Sequence, residues 1–595
     1  MTDDRRIGFS RSNPPTLLLE LFVPITELIV PTTMKLSLAS VVLAAATASS
    51  GALVSASSSV RGGGTDADAD QHPLSTTTDC NGLEKQSCLS SSCFWCECAA
   101  VPSSCYTKEQ ADSLPSGVFT CQGPSLEADA ISDNDAGEVL SGTSTSSYEL
   151  LPGLSFEMTD GPVDPDFCDA SSPLSLSGYM NVKGSEYDKN GENKHLFFWF
   201  FEKRGSDTLT SEEDKSSIPL IVWLTGGPGC SSSLALLTEN GPCSVDQSGQ
   251  STVVRESSWT EAGHVLWLDQ PAGVGYSYGE ATDKNEKMVS EDAYYFLQAF
   301  YKKHPEYSSN PLFVVGESYG GHYAPAIAHK VFQENKNVAD GLIEINLGGV
   351  AVGNGLTNPA EQYKWYAEMA YKNSHGIKTV SEDTYNTMTS AIPTCEKLIN
   401  KCNEGDGVIN SFACQSAFIV CNTAETSPYQ MSGLNPYDIR KKCEAPPLCY
   451  DFSNVNTFMN LDSTREALHV SDKAGGWESC NMGINMKFHS DWMHDFSPYI
   501  TDMLNGGIPA LIYAGDVDFI CNYLGNRAWT LKLDWDHTEE FNKVEDHEWG
   551  DKSGLARTSN GFTFLQVYDA GHMVPSDQPA VALKMITNFV NGGEF

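Results

Sequence analysis

Several short segments of this chain hold the residue types that nucleophilic catalysis needs. The first is Gly316-Glu317-Ser318-Tyr319-Gly320. It fits the pattern G-x-S-x-G, in which flanking glycines let the chain turn sharply out of a strand and raise the serine hydroxyl beside a helix N-terminus. The apolar run Leu312 to Val315 ahead of it and the helical run Tyr323 to Phe332 behind it supply that setting. A serine hydroxyl attacks only when a base takes its proton and an acid orients the base. In this kind of site the partners follow in the order Ser, Asp, His. Asp516 and Asp518 lie just beyond the apolar run Ala510 to Tyr513, and His572 lies beyond Thr563 to Val567, in Gly571-His572-Met573-Val574-Pro575. Spacing alone leaves Asp516 and Asp518 as competitors for the acid. In Trp223-Leu224-Thr225-Gly226-Gly227-Pro228-Gly229-Cys230 a strand end runs into glycines. Bare backbone there can approach a substrate and aim N–H groups at a developing oxyanion.

These residues need a frame, and the sequence predicts one. Apolar runs rich in β-branched and aromatic residues recur at Leu196 to Phe200, Leu220 to Leu224, Val265 to Leu268, Leu312 to Val315, Ile345 to Val352, Ala510 to Tyr513 and Thr563 to Val567. Helical runs such as Ser290 to Tyr301 fall among them. The alternation predicts an α/β fold with a mainly parallel central sheet and helices on both faces. From about 360 to 495 the chain is less β-rich and carries Cys395, Cys402, Cys414, Cys421, Cys443, Cys449 and Cys480. That stretch is expected to be a disulfide-braced cap inserted into the sheet's sequence, where loops build the binding site.

Upstream the organisation changes. Residues 1–33 form an N-terminal extension of unassigned use, and Met34-Lys35 with the apolar run Leu36 to Ala46 and small residues to 56 has the layout of a signal peptide. Residues 57–79 read as a low-complexity linker. Cys80, Cys88, Cys93, Cys96, Cys98, Cys105 and Cys121 then define a small cysteine-rich module at 80–121 that disulfides would hold; Cys93-x-x-Cys96 also fits half of a metal site or a redox pair, readings disfavoured because no histidine lies in the cluster and no thioredoxin-like strand-helix pattern surrounds it. Their odd number implies one pairing outside the module, to Cys168 or Cys243, or one free thiol. Residues 122–165 are polar and acidic and read as a linker or propeptide, and the catalytic domain spans 166–595.

The formal net charge is −40, which disfavours nucleic acid and anionic membrane as partners. The excess of acid suits an acidic compartment and serves equally as a solubility device. Eighteen cysteines indicate an oxidising compartment, and no run is suited to a stable membrane anchor. No cofactor is called for. The oligomeric state is not legible.

Taken in order, Trp223 to Ser232, Asp269 to Ser277, Gly316 to Tyr323, Tyr513 to Asn526 and Gly571 to Pro575 resemble the motifs of the serine carboxypeptidase family, in the branch with yeast and plant members. The resemblance runs from about Gly178 to Phe595. It implies an α/β-hydrolase fold and release of C-terminal amino acids from peptides and proteins through an acyl-enzyme, with most activity at acidic pH. Ser318 becomes the nucleophile, His572 the general base and Asp518, rather than Asp516, the orienting acid. The backbone N–H groups of Gly227 and Tyr319 become the oxyanion hole. Trp223, Thr225, Gly226 and Glu317 become the grip on the substrate's terminal carboxylate, with Thr225 departing from the asparagine common at that position. Glu239 and Glu317 match a hydrogen-bonded carboxyl pair that retains a proton at acidic pH. The resemblance also implies the disulfides Cys230 to Cys480, Cys395 to Cys421, Cys402 to Cys414 and Cys443 to Cys449, a free thiol at Cys521, and a vacuolar, lysosomal or extracellular destination. Two other readings compete. One is an acyltransferase on the same scaffold, disfavoured because such enzymes commonly carry Asp where Glu317 stands. The other is a non-catalytic extracellular binding protein, which the complete Ser, Asp and His set argues against.

Overall fold

The computed structural model describes strands Phe94–Glu97, Ser104–Tyr106 and Thr120–Gln122, and residues 142–595 except 152–153, 188–192, 406–407 and 447. The N-terminal extension, the expected signal peptide and the linker at 57–79 lie outside the described residues. The chain divides into two compact units, Met1–Ser132 and Asp133–Phe595. In the first, Phe94–Glu97 pairs antiparallel with both other strands, setting Cys96 opposite Cys121.

The second unit is built on one sheet of 13 strands. In chain order its main strands are β1 (Ser144–Leu151), β2 (Leu154–Pro162), β3 (Ser175–Lys183), β4 (Lys194–Phe201), β5 (Leu220–Thr225), β6 (His264–Leu268), β7 (Leu312–Glu317), β8 (Leu347–Gly353), β9 (Ala510–Gly515), β10 (His547–Trp549), β11 (Gly554–Ser559) and β12 (Phe562–Val567). The spatial order is β10-β11-β12-β9-β8-β7-β5-β6-β4-β3-β2-β1, with the short strand Tyr278–Gly279 beside β4. From β12 to β6 all neighbours are parallel, while the outer strands are antiparallel. This is the expected α/β-hydrolase arrangement, with a mainly parallel centre.

Both faces of the centre are buried, which explains why its strands are continuously apolar rather than alternating. Leu220, Val222, Leu312, Val314 and Ile512 point into one core, where helices α1 (Glu286–Lys303) and α2 (Gly320–Glu334) pack. Ile221, Trp223, Phe313, Val315 and Leu511 point into the other, against helix Pro579–Val590.

Two expectations need correction. The stretch 122–165 is not a linker throughout, since residues 144–162 supply β1 and β2, in ladder with β3. Their serines and threonines hid them, because Phe156 and Met158 reach the core while the other side stays polar. Cys168 and Cys243 bond to each other, with Cα atoms 5.5 Å apart, so neither pairs with the N-terminal module.

The cap lies between β8 and β9. Helices α3 (Glu382–Cys402) and α4 (Val408–Cys421) pack side by side, joined by Cys395–Cys421 and, inside it, Cys402–Cys414. The hairpin Leu434–Asn435 and Asp438–Lys442 follows, with Cys443–Cys449 closing the turn after it.

Candidate active site

Parallel strands bring their carboxyl ends to one edge, and the chemistry-bearing residues all sit there. Thr225 ends β5, Glu317 ends β7 with Ser318 next, Asn354 follows β8, Asp518 follows β9, and His572 follows β12. Ser318 has φ 63°, a left-handed backbone that costs a non-glycine residue about 1–3 kcal/mol. Hydrogen bonds hold the turn in place. Ser318 N donates to Gly353 O (3.1 Å), and Gly321 N and Leu356 N both donate to Ser318 O at 2.9 Å. Glycine is required at Gly316, where a Cβ would sit 2.3 Å from Gly320 O.

His572 directs Nδ1 at Asp518 Oδ2, 2.9 Å away. That engagement leaves Nε2 as the nitrogen able to serve a nucleophile. Asp518 is completely buried, and its carboxylate also accepts from Asn354 Nδ2 (2.8 Å), Cys521 N (3.1 Å) and Ile520 N (3.1 Å). His572 N donates to Tyr437 O at 2.9 Å, and the two rings lie 5.0 Å apart. Asp516 faces elsewhere, 3.0 Å from His375 Nε2 and accepting from Asp569 N at 2.8 Å. Asn354 was not anticipated. It adopts φ 39°, its Oδ1 accepts from Gly515 N at 3.1 Å, and it thereby ties the loop of Asp518 to the end of β8. The signal for it was Gly353-Asn354-Gly355 after a strand, where asparagine is the non-glycine residue best suited to a positive φ.

The glycine turn lies directly against the serine. A Cβ on Gly226 would fall 2.3 Å from Tyr319 N and 2.9 Å from Ser318 Cβ. Gly227 has φ 106° and precedes a cis proline, Pro228. Trp223 is fully buried, and its indole N–H donates to Thr225 Oγ at 2.9 Å, which leaves the threonine hydroxyl to donate onward. Behind the turn, Glu239 and Glu317 are buried together. Burial pushes the Glu239 carboxyl up to about 7, its hydrogen bond with Glu317 opposing that rise. Burial and the charge of Glu239 hold Glu317 well above the usual carboxylate range. Arg255 beside them is lowered to about 10 by burial.

Cys230 and Cys480 form a disulfide that joins this turn to the cap, with Cα atoms 3.9 Å apart. Among the described residues Cys521 is the free cysteine, buried beside Asp518, and burial raises its thiol pKa well above the ordinary value. The candidate metal-binding group among the described residues is Cys402, Cys414 and His494, whose two cysteines are already bonded to each other.

Comparison with known proteins bears on this geometry. A family model described as serine carboxypeptidase matches residues 165–592. Carboxypeptidase Y of Komagataella phaffii is 38% identical over 436 residues, covering 72% of this chain and 78% of that protein. A serine carboxypeptidase-like protein of Oryza sativa subsp. japonica is 41% identical over 410 residues, covering 68% of this chain and 91% of that protein. The crystal structure of Kex1ΔP, a prohormone-processing carboxypeptidase from Saccharomyces cerevisiae, superposes with a TM-score of 0.63 at 26% identity, covering 72% of this chain and 95% of that one.

Proposed function

This chain belongs to the serine carboxypeptidase family and is a hydrolase of peptide bonds, and from that premise we propose how its residues divide the reaction. Ser318 attacks the last peptide carbonyl of a bound chain while His572 takes its proton, oriented by Asp518. The N–H groups of Gly227 and Tyr319 receive the negative charge that forms on the carbonyl oxygen. His572 then returns the proton to the departing amino acid, leaving an acyl-enzyme on Ser318 that water, deprotonated by His572, hydrolyses.

What makes the substrate a C-terminus is the carboxyl pair Glu239 and Glu317, and this observation carries the reading. A buried carboxyl that keeps its proton can donate a hydrogen bond to a carboxylate, which an ionised one would repel. Glu317 closes the strand that leads into Ser318, so the donor and the nucleophile are neighbours in the chain. Thr225, supported by the Trp223 indole, and the backbone of Gly226 complete the grip on the same carboxylate.

The five disulfides among the described residues support a secretory destination, vacuolar or extracellular, and removal of a leader at 34–56. The functional test is direct. Purified protein is incubated at acidic pH with an N-blocked dipeptide and, separately, with its C-terminal amide, alongside Ser318→Ala. Release of the free amino acid from the acid substrate by the parent alone supports the proposal. Equal turnover by Ser318→Ala, or preference for the amide, overturns it.

A further inference from the structure

Both proposed oxyanion donors are touched by the same piece of the cap. The disulfide Cys230–Cys480 brings residues 479–492 over the active-site turn, where Ser231 N donates to Ser479 O (2.9 Å) and Asn481 N donates to Gly229 O (2.8 Å). One turn further, Asn485 Nδ2 donates to Gly227 O at 3.0 Å and to Pro228 O at 3.2 Å. Two turns further, Asp491 Oδ2 accepts from the Tyr319 hydroxyl at 3.1 Å. Asp491 and Tyr319 are both buried, and the tyrosine ring is packed by Phe488 and Trp492 of the same segment, with centroids 6.0 and 5.4 Å away.

We propose that Asn485 and Asp491 are positioning residues that set the spacing of the oxyanion hole, Asn485 through the carbonyl of Gly227 and Asp491 through the hydroxyl of Tyr319. The idea rests on the reading of Gly227 and Tyr319 given above. Its physical basis is that an oxyanion donor works only when it is already aimed at the place where charge develops, so groups that fix its backbone act on the transition state rather than on substrate binding. Gly227 has no side chain of its own to fix it, and Tyr319 follows a strained serine. The cap segment supplies what the turns lack. His489, on the helical turn between the two residues, meets Asn485 Oδ1 at 3.3 Å and stacks on Phe418 of α4 at 4.0 Å, so the segment is backed by the disulfide-braced part of the cap.

The test compares Asn485→Ala, Asp491→Ala, Asp491→Asn and Tyr319→Phe with the parent in steady-state kinetics, with thermal melting to verify folding. A lost oxyanion donor costs on the order of 10²–10³-fold in kcat. Misaiming one is expected to lower kcat by about tenfold or more while KM stays within about threefold. Asp491→Asn keeps an acceptor for the tyrosine hydroxyl and is expected to recover most of the kcat that Asp491→Ala loses. Asp491→Ala combined with Tyr319→Phe should cost no more than the larger single change, since both remove one bond. Should Asp491→Ala fail to fold, Tyr319→Phe reads the same bond. A parent-like kcat in folded Asn485→Ala or Tyr319→Phe overturns the proposal, as does a loss carried by KM alone. Ser318→Ala is run beside them. If it retains turnover, the reading of the site has failed rather than the role of the cap segment.

Discussion

Asp516 and Asp518 stand two residues apart on one loop and have unrelated surroundings. Asp518 holds the imidazole of His572 and is itself held by Asn354 and two backbone N–H groups, whereas Asp516 pairs with the half-exposed His375. Asp518→Asn is therefore expected to lower kcat by on the order of 10⁴-fold, because an amide presents the imidazole with the wrong tautomer. Asp516→Asn should leave kcat/KM close to the parent value, and steady-state kinetics on the two variants distinguishes them. The Glu239 and Glu317 pair sets a second expectation at this scale. Both folded values lie above the ordinary carboxylate range, so both carboxyls are protonated at acidic pH; Glu239 ionises as pH rises through about 7 and puts a charge beside the site, while burial and that charge hold the Glu317 proton well above the usual range. KM for a C-terminal acid should then be flat below neutrality and climb above it, while Glu317→Gln, a permanent donor, should flatten the climb. A parent KM that does not change between pH 5 and about 8 contradicts this.

At the scale of elements, the strand-to-helix turn around Ser318 tolerates almost nothing. Gly316→Ala would drive a Cβ to within 2.3 Å of Gly320 O, so it should cost about 1–3 kcal/mol of stability and most of the activity. Gly475→Ala, which meets nothing within 4 Å, serves as the comparison and should stay within about 0.5 kcal/mol of the parent in denaturant unfolding. The turn was legible in the sequence because its glycines, its serine and the apolar strand before it are adjacent. His572 was legible for a similar reason, standing just past a strand end. Asn485 and Asp491 were not, because an amide or acid in a loop-rich cap gives no local sign of which turn it will meet across the fold. The choice between Asp516 and Asp518, and the bond between Cys168 and Cys243, likewise depend on tertiary approach, which spacing does not encode. β1 and β2 escaped notice because an outer antiparallel pair needs apolar residues on one side only.

For the whole molecule, buried ionisable groups set how stability follows pH. Burial raises Asp269 to about 6, Asp491 and Glu239 to about 7 and Glu425 to about 8, and it holds Glu286 and Glu317 well above the usual carboxylate range. The folded protein keeps these protons after the unfolded chain has lost them, so each group removes stability as pH rises from about 4 to its folded value. Buried histidines act in the opposite sense. His195 is lowered to about 4 and His264 and His322 to about 3, chiefly by burial, so they add stability as pH rises towards about 6.5 and nothing beyond it. Above that point the carboxyls remain, joined towards about pH 8.5 by the Cys521 thiol, which burial also raises, and the self-repulsion of a chain with formal charge −40 acts in the same direction. The urea midpoint should accordingly fall from pH 6.5 to about 8.5. Glu425, fully buried with both carboxyl oxygens unpartnered, makes the test specific. Glu425→Gln removes one titrating group without adding charge, so its midpoint should decline less steeply up to about pH 8, whereas a parent midpoint that is level or rising over that range would show that the buried carboxyls do not govern how stability follows pH.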